Sequence, residues 1–170
     1  MIGRDMLAKL YAHSAWATAK ILDCAAKLTD EQWNQSDNFV ERSLHEILFH
    51  SMGGEIAWRM PCETGMRPTQ RPQITEFPTV ESIRTRWAQQ QADVQRLIAS
   101  LNDDELAQPV DVRNPDGSLM PIVRWHMLMT AAQHNIQHRA EAAALLTQMG
   151  HSPGDLDFIF FVWDTKHEQN

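Results

Sequence analysis

Two histidines, His134 and His138, lie four residues apart in the segment from Ala131 to Leu146. Four residues advance an α-helix by about 400°, so the two rings leave nearly the same face, one turn of rise apart. Two imidazoles in this arrangement can bind one transition-metal ion. His50, in a separate helical segment, is the candidate for a third ligand. The spacing alone leaves open the alternative that both histidines are hydrogen-bonded core residues.

The helical stripe around these two histidines is otherwise apolar. With His134 as the reference and about 100° per residue, Met127, Ala131 and Leu145 fall within about 60° of it, and Glu141 lies just to the other side. Burying two unpartnered imidazoles costs a few kcal/mol, whereas one metal ion satisfies both. A further apolar direction predicts that this helix packs inside a bundle and also against a partner chain. That direction is lined by Trp125, Leu128, Ala132, Ile136 and Ala143.

The remaining histidines and motifs are weaker candidates for chemistry. His45 and His50 are five residues apart, so their directions differ by about 140° and they do not easily share one ion. The segment from His45 to His50 has one residue too many for a zinc-protease H-E-x-x-H motif, and neither a Glu-x-x-His pair nor a nucleotide-binding glycine loop is present. His45 is predicted to lie nearer solvent, His126 is a weaker ligand candidate, and three others are predicted to be surface residues: His13, His151 and His167.

Composition predicts one soluble domain covering residues 1–170. The chain has 43% hydrophobic and 22% charged residues and a net charge of −7. This acidic balance disfavours nucleic-acid binding, and no apolar stretch approaches the roughly 18 residues that span a bilayer. The first residues lack the apolar run of an export signal, and Cys24 and Cys62 form no close-spaced motif. We therefore expect a cytoplasmic protein without nucleic-acid or membrane partners. Both cysteines are expected to be free thiols, with one disulfide as the alternative.

The hydrophobic pattern predicts an all-α fold, a four-helix bundle with an additional short C-terminal helix and a short β-hairpin before the fourth helix. The Asn114-Pro115-Asp116-Gly117 turn lies between the two predicted strands. Residues 29–32 are interpreted as a helix stop followed by a turn or a new cap. The predicted helices span residues 4–28, 43–61, 79–101 and 122–149, the hairpin pairs residues 110–112 with 119–120, and the last helix covers residues 156–163.

Two features of the second helix and the segment after it suggest a site. Gly53 and Gly54 each cost about 1 kcal/mol relative to alanine in a helix, so another backbone or a ligand is expected to come close there. The proline-rich residues 62–78 are predicted to form a long loop, and loops of this length often cover or shape a site. The loop, together with Tyr11 and Trp16 of the first helix, is a candidate for shaping a pocket, although core packing is the alternative for both aromatic residues.

Several segments, in order, resemble the DinB/YfiT-like metal-binding four-helix-bundle family, which is distinct from the DNA polymerase that shares the name. The first helix carries Tyr11 followed by Trp16-Ala17, the second carries Leu48-Phe49-His50 with Trp58 eight residues later, and the fourth carries His134-Asn135-Ile136-Gln137-His138-Arg139. The closing segment, with Ser152-Pro153-Gly154 and Asp157-Phe158, also matches. The resemblance covers nearly the whole chain.

The resemblance implies one divalent metal ion held by His50, His134 and His138, and frequent homodimers. Zinc or nickel is the favoured ion, with iron or manganese as alternatives. Some members of the family transfer a low-molecular-weight thiol such as bacillithiol, mycothiol or glutathione, or catalyse isomerisation. The chain departs from the commonest family pattern after the second histidine, because Ala140-Glu141 stands where Gly-Gln is usual.

Two functions follow from the residues and the resemblance together. The first is a metal-dependent thiol S-transferase, or a related isomerase or hydrolase, that acts on a small electrophilic substrate. In that function no catalytic residue is assigned, and Glu141 is a candidate for orienting a metal ligand or acting as a base. The alternative is a non-catalytic metal-binding or stress-response protein in which the ion is structural.

Overall fold

The computed structural model describes residues 3–37 and 41–167 and shows four long helices with smaller elements between them. The long helices are α1 (Arg4–Ala25), α3 (Leu44–Thr64), α4 (Val80–Ser100) and α6 (Arg124–Gln148). The short helices are α2 (Asp30–Asn34), α5 (Asp103–Ala107) and α7 (Phe158–His167), and the strands are β1 (Pro109–Arg113) and β2 (Leu119–Val123). Within the described residues, none of the helices combines the length and apolarity needed to cross a bilayer.

Polar caps define where the helices begin. The hydroxyl of Ser43 accepts from the Glu46 backbone N–H at 3.2 Å, and the Glu46 carboxylate accepts from the Ser43 backbone N–H at 2.7 Å. This reciprocal capping box satisfies two helix N-terminal groups that lack partners inside the helix. Thr29 caps α2 in the same way, so the new cap is the correct alternative for residues 29–32. The predicted bounds of the third helix are also confirmed, with Thr79 as the cap of α4.

Several predicted boundaries are wrong by up to a turn. The second helix does not end near Pro61 but continues to Thr64, because a proline near a helix C-terminus removes only one backbone donor. Gly65 ends the helix: its φ is 70°, and its backbone N–H donates a hydrogen bond to the Pro61 carbonyl oxygen at 3.0 Å. The first helix stops at Ala25, three residues early. The fourth begins at Arg124, because the two residues before it belong to β2.

The predicted hairpin is confirmed between α5 and α6. β1 and β2 are antiparallel, with Val110 opposite Ile122, and the turn contains Gly117 at φ 86°. A single bridge between Met66 and Arg113 joins the hairpin to the loop that follows α3. The sequence analysis missed α5 and the one-turn 3₁₀ helix at residues 74–76, and both are single turns too short for a periodic signal.

The four long helices form a bundle in which each packs against two others. α1 packs against α4 and α6, and α3 packs against the same two helices, with α3 and α6 sharing the most extensive interface. α7 lies against α1. The candidate metal-binding histidines are therefore carried by the two helices in closest association.

A buried polar layer divides the core of the bundle into two apolar clusters. One cluster includes Ile21 and Trp87, and the other includes Leu7 and Leu128. Between them every long helix contributes at least one buried polar side chain, and we refer to these as the polar layer: Ser14, Glu55, Gln90, Asn135 and Arg139.

Hydrogen bonds connect the polar layer across the bundle. The Asn135 side-chain amide donates to the Glu55 carboxylate, and the Arg139 guanidinium donates to the Ser14 hydroxyl at 2.6 Å. Burial raises the pKa of Glu55, although hydrogen bonding to Asn135 and the nearby positive charge of Arg139 oppose the increase. Burial likewise lowers the pKa of Arg139 to about 10, so its guanidinium stays charged at neutral pH. Charged groups in a core need such partners because desolvation is costly.

Candidate metal centre

The structure brings His50, His134 and His138 together at the α3–α6 interface. One ring nitrogen from each lies within 4.8 Å of those of the other two. The Nε2 atoms of His50 and His134 are 3.2 Å apart, and the ring centroids of His134 and His138 are 4.4 Å apart. His138 is buried, His134 is half-buried and His50 is exposed, so the cluster lies at the bundle surface with one side open.

Gly54 creates the space that His134 occupies. A Cβ atom built on Gly54 would lie 2.2 Å from Cε1 and 2.6 Å from Nδ1 of His134, closer than non-bonded atoms approach. The sequence analysis predicted that another backbone or a ligand comes close at these glycines. A close neighbour is present at Gly54, but it is the His134 side chain of α6. At Gly53 the same construction meets nothing within 4 Å.

The three side chains fit a transition-metal ion. Zinc–nitrogen bonds are about 2.0–2.1 Å, so two nitrogens in a tetrahedral site are about 3.3 Å apart. The observed Nε2 separation of 3.2 Å for His50 and His134 matches that value. Neutral imidazole suits zinc, nickel, copper and iron, so the donor set leaves the identity of the ion open. Among the described residues no fourth histidine, cysteine or carboxylate joins this group.

Glu141 fixes the orientation of the most buried ring. Its Oε2 is 2.7 Å from Nδ1 of His138. Partial burial would raise the pKa of the Glu141 carboxyl, but hydrogen bonds with His138 and Gln137 together lower it. An ionised carboxylate only accepts hydrogen bonds, so Nδ1 of His138 donates, and Nε2 is the ring nitrogen that is available to a metal ion.

The environment favours the neutral form of the His134 and His50 rings. Burial, followed by the nearby His138 and His50 rings, lowers the pKa of His134 to about 4. Burial lowers the pKa of His50 as well, with His138 as the next cause. Because metal ligation requires neutral imidazole, these pKa shifts favour metal binding at neutral pH.

Two concave surfaces meet at His50. An open cleft of about 490 Å³ exposes the three histidines and is lined besides by Arg42, Gln137 and Glu141. A second cavity of about 510 Å³ lies between α3, the following loop and α4. The loop contributes residues 68–72 to its wall, which supports the prediction that this segment shapes a pocket.

The structure does not bring Tyr11 or Trp16 to either concave surface. Tyr11 is buried in the core, where its hydroxyl donates to the Leu128 carbonyl oxygen at 2.9 Å. Trp16 instead donates its Nε1–H to Asp164 of α7 at 3.2 Å. The alternative of core packing is correct for Tyr11, and Trp16 serves the docking of the C-terminal helix.

Two histidines predicted near solvent are buried. His45 stacks on Trp33 with ring centroids 4.9 Å apart, and its Nε2–H donates to the Phe77 carbonyl oxygen at 2.8 Å. His13 donates from Nε2 to the Leu156 carbonyl oxygen at 2.8 Å, beneath α7. Both predictions are wrong because segments distant in sequence cover these rings.

The remaining histidines lie away from the cluster. His126 is exposed and packs against Trp125, with the ring centroids 4.1 Å apart, and His151 is half-buried just after α6. The side chain of His167 lies outside the described part of the chain. These positions leave His50, His134 and His138 as the grouped histidines among the described residues.

The sequence analysis missed the arginines that line the two concave surfaces. Arg42 faces the cleft, while Arg71 and Arg86 line the cavity. No spacing signal marks them, since each comes from a different segment. The adjacency of Arg42 to the capping residue Ser43 places it at the start of α3, but its position beside the histidines depends on how α3 and α6 pack.

Comparisons with known proteins agree with this architecture. The sequence model of the DinB family matches residues 3–170. Protein DinB of Bacillus subtilis (strain 168) is 23% identical over 172 residues, covering 97% of this chain and 98% of that protein.

Solved structures with similar folds come from the same group of proteins. A DinB-like protein from Bacillus cereus ATCC 10987 superposes with a TM-score of 0.69 at 20% identity, covering 90% of this chain and 97% of that one. A DinB-like protein (YjoA) from Bacillus subtilis gives a TM-score of 0.63 at 12% identity, covering 86% and 94%. At these identities the solved structures support the fold alone, whereas the match to the family model over residues 3–170 shows family membership. The chain belongs to the DinB family.

Proposed function

We propose that this chain is a metal-dependent enzyme that transfers a low-molecular-weight thiol to a small electrophilic substrate. One observation carries the proposal: three histidine rings meet in a cleft that is open to solvent. Three protein ligands with an open position are typical of catalytic metal sites, whereas structural zinc sites are closed by four protein ligands. A divalent ion in such a site supplies Lewis acidity that lowers the pKa of a thiol and polarises an electrophile.

The residues of the chain hold and surround the reacting groups. Glu141 orients His138, and Arg42 and Gln137 offer hydrogen-bond donors to the polar groups of a thiol compound. In the reaction, the thiol sulfur forms a bond to the electrophilic carbon, and the leaving group departs with the electron pair of the bond that breaks. The thiol proton passes to solvent, to which the cleft is open.

A second candidate is a non-catalytic role in which the ion fastens α3 to α6. The composition of the cleft favours it, because the described residues that line the cleft include no serine, cysteine, lysine or tyrosine. In that case metal binding adds to stability without any reaction, since an ion that binds only the folded state shifts the unfolding equilibrium.

Metal content and thiol transfer test both candidates. Protein purified without a histidine tag is analysed for metal, stripped by dialysis against a chelator, and reloaded with zinc or nickel. Glutathione, bacillithiol and mycothiol are then each assayed with 1-chloro-2,4-dinitrobenzene as the electrophile. We expect close to one ion per chain, falling sharply in His50→Ala, and product formation that requires metal.

A matched pair of variants sharpens this test. His138→Ala removes a proposed ligand, whereas His126→Ala changes an exposed histidine of the same helix. We expect transfer to be lost only in the first. Rates that depend on neither metal nor His138 overturn the enzymatic proposal. A melting temperature that falls on metal removal, with no transfer for any thiol, favours the structural role.

We also propose that the chain forms a homodimer through α6. The support is that Ile136 on this helix is 47% exposed, and a large aliphatic side chain left open to solvent on a long bundle helix is suited to an interface. Sedimentation analysis of the wild type and Ile136→Lys tests this, because a lysine in a dimer interface is expected to shift the chain to the monomer. A wild-type protein that sediments as a monomer at all concentrations contradicts the dimer.

A further inference from the structure

We infer that the cavity between α3, α4 and the loop after α3 binds an organic anion with an apolar body, and that this anion is the electrophilic substrate. The second part of the inference rests on the proposed function, whereas the first concerns the cavity alone.

The cavity has the size of a small-molecule site. Its volume is about 510 Å³, within the roughly 300–1,000 Å³ of typical ligand pockets. Its walls come from three separate elements: residues 49–60 of α3, residues 68–72 of the loop, and Arg86 of α4. A pocket assembled from three elements is defined by the fold rather than by one surface irregularity.

Apolar side chains form much of the wall. Phe49, Ile56 and Met60 project from α3, and Gly53 lies between them along the helix. A Cβ built on Gly53 meets nothing within 4 Å, so the missing side chain leaves that part of the cavity open. Burial of a hydrocarbon or aromatic body against such a wall gains about 25 cal/mol for each Å² removed from water.

Two guanidinium groups give the cavity its charge. Arg71 and Arg86 line it, and no acidic side chain is among its described lining residues. Neither guanidinium has a hydrogen bond or an ion pair with another described side chain, whereas Arg84 on the same helix pairs with Asp23 at 2.9 Å. In a chain with a net charge of −7, two arginines without acidic partners at one cavity favour an anionic ligand. Guanidinium groups bind carboxylates and sulfonates in two-point geometry.

The cavity and the polar cleft share His50 but otherwise have different lining residues. His50 and Gly54 line the cavity, and both contact the His134 ring. A ligand in the cavity therefore lies against the His50 side of the cluster. The cleft, with Arg42, Gln137 and Glu141, approaches the same cluster from a polar side. The different linings suit a polar thiol in the cleft and an apolar electrophile in the cavity, with His50 common to both.

Three compounds with the same hydrocarbon body test the charge preference. The probes are 4-phenylbutyrate, 4-phenylbutanamide and 4-phenylbutylamine, titrated into isotope-labelled zinc-loaded protein and followed by amide NMR shifts. We expect 4-phenylbutyrate to bind at least about tenfold more tightly than the other two, since a hydrogen bond to a charged group contributes about 1.5 kcal/mol or more. The shifts are expected at the amides of residues 53, 54 and 57.

Variants identify the groups responsible. Arg86→Met keeps most of the apolar stem but removes the charge, and we expect it to weaken 4-phenylbutyrate binding about tenfold without changing binding of the amide. Arg96→Met is the matched control, because Arg96 is exposed on the same helix and outside the cavity. Gly53→Phe is expected to fill the cavity and abolish binding of all three probes.

The outcomes separate this inference from the proposed function. The cavity assignment is overturned if the three probes bind with equal affinity or if the NMR shifts map elsewhere. It is also overturned if Arg86→Met binds 4-phenylbutyrate as tightly as the wild type, which is the result expected when the carboxylate binds zinc directly. Anion binding at the cavity without thiol transfer supports the cavity assignment and counts against the transferase. Transfer to electrophiles at equal rates whether they carry a carboxylate or a neutral amide overturns the assignment of the anion as substrate.

Discussion

Replacing Gly54 with alanine tests the histidine cluster without touching a proposed ligand. The new Cβ would lie 2.2 Å from Cε1 of His134, whereas carbon atoms pack at about 3.5–4.0 Å. The ring must therefore move by more than about 1 Å. Metal–ligand distances vary by only about 0.2 Å, so we expect His134 to be lost as a ligand and the metal affinity to fall about 100-fold or more.

Gly53→Ala is the matched control. It makes the same chemical change one residue earlier in α3, where the added Cβ meets nothing within 4 Å. Alanine stabilises a helix interior by about 1 kcal/mol relative to glycine, so the melting temperature is expected to rise by about 2–4 °C with metal binding unchanged. Gly54→Ala gives the helix the same stabilisation, which offsets the cost of displacing the His134 ring. The metal-free protein is therefore expected to remain folded.

Melting curves with and without zinc measure the difference. At a free zinc concentration of about 100 times the wild-type Kd, binding adds about 2.7 kcal/mol of stability, and a 100-fold weaker site adds about 0.4 kcal/mol. The expected zinc-dependent rise in melting temperature is about 5–11 °C for wild type and Gly53→Ala, and about 1–2 °C for Gly54→Ala. An equal rise in all three proteins would refute the placement of His134 at the metal.

Three further predictions concern other residues. Glu141→Gln is expected to lower metal affinity by about 10- to 100-fold, measured by competition with a chromophoric chelator, because the amide orients His138 less firmly than the carboxylate. Burial raises the folded-state pKa of Glu55, so its ionisation opposes folding, and this penalty grows as pH rises above the unfolded value of about 4.3. The melting temperature of Glu55→Gln relative to wild type is therefore expected to increase from pH 4 to pH 7 in thermal scans, and a constant difference would contradict the raised pKa. Burial raises the pKa of Cys62 to about 12, so its alkylation by iodoacetamide, followed by mass spectrometry, is expected only after unfolding.

Local signals in the sequence were sufficient to predict the four long helices and to select the candidate ligands. The capping residues Ser43 and Thr79 mark helix starts through contacts within one turn, and the spacing of His134 and His138 fixes their common face. The contact between Glu141 and His138 could be foreseen for the same reason, since the two residues lie on the same helix, three positions apart.

Features that depend on distant contacts were not predictable in this way. His13 is buried because α7 docks over it, and nothing near His13 in the sequence indicates that docking. The cavity arginines come from the loop and from α4, so their association with His50 depends on tertiary packing. Gly54 could be flagged as a close approach, but its neighbour could be named only once α3 and α6 were placed together.

Apolar contacts are not directional, so they define the axial alignment of the long helices less strictly than hydrogen bonds do. The polar layer adds a directional constraint, since the Asn135–Glu55 and Arg139–Ser14 hydrogen bonds form in one axial alignment. A shift of one turn, about 5.4 Å, would leave the Glu55 carboxylate and the Arg139 guanidinium buried without partners, at a cost of about 3–5 kcal/mol. Core residues outside the metal centre thus determine the axial position of α3 relative to α6, and with it the position of His50 relative to His134 and His138.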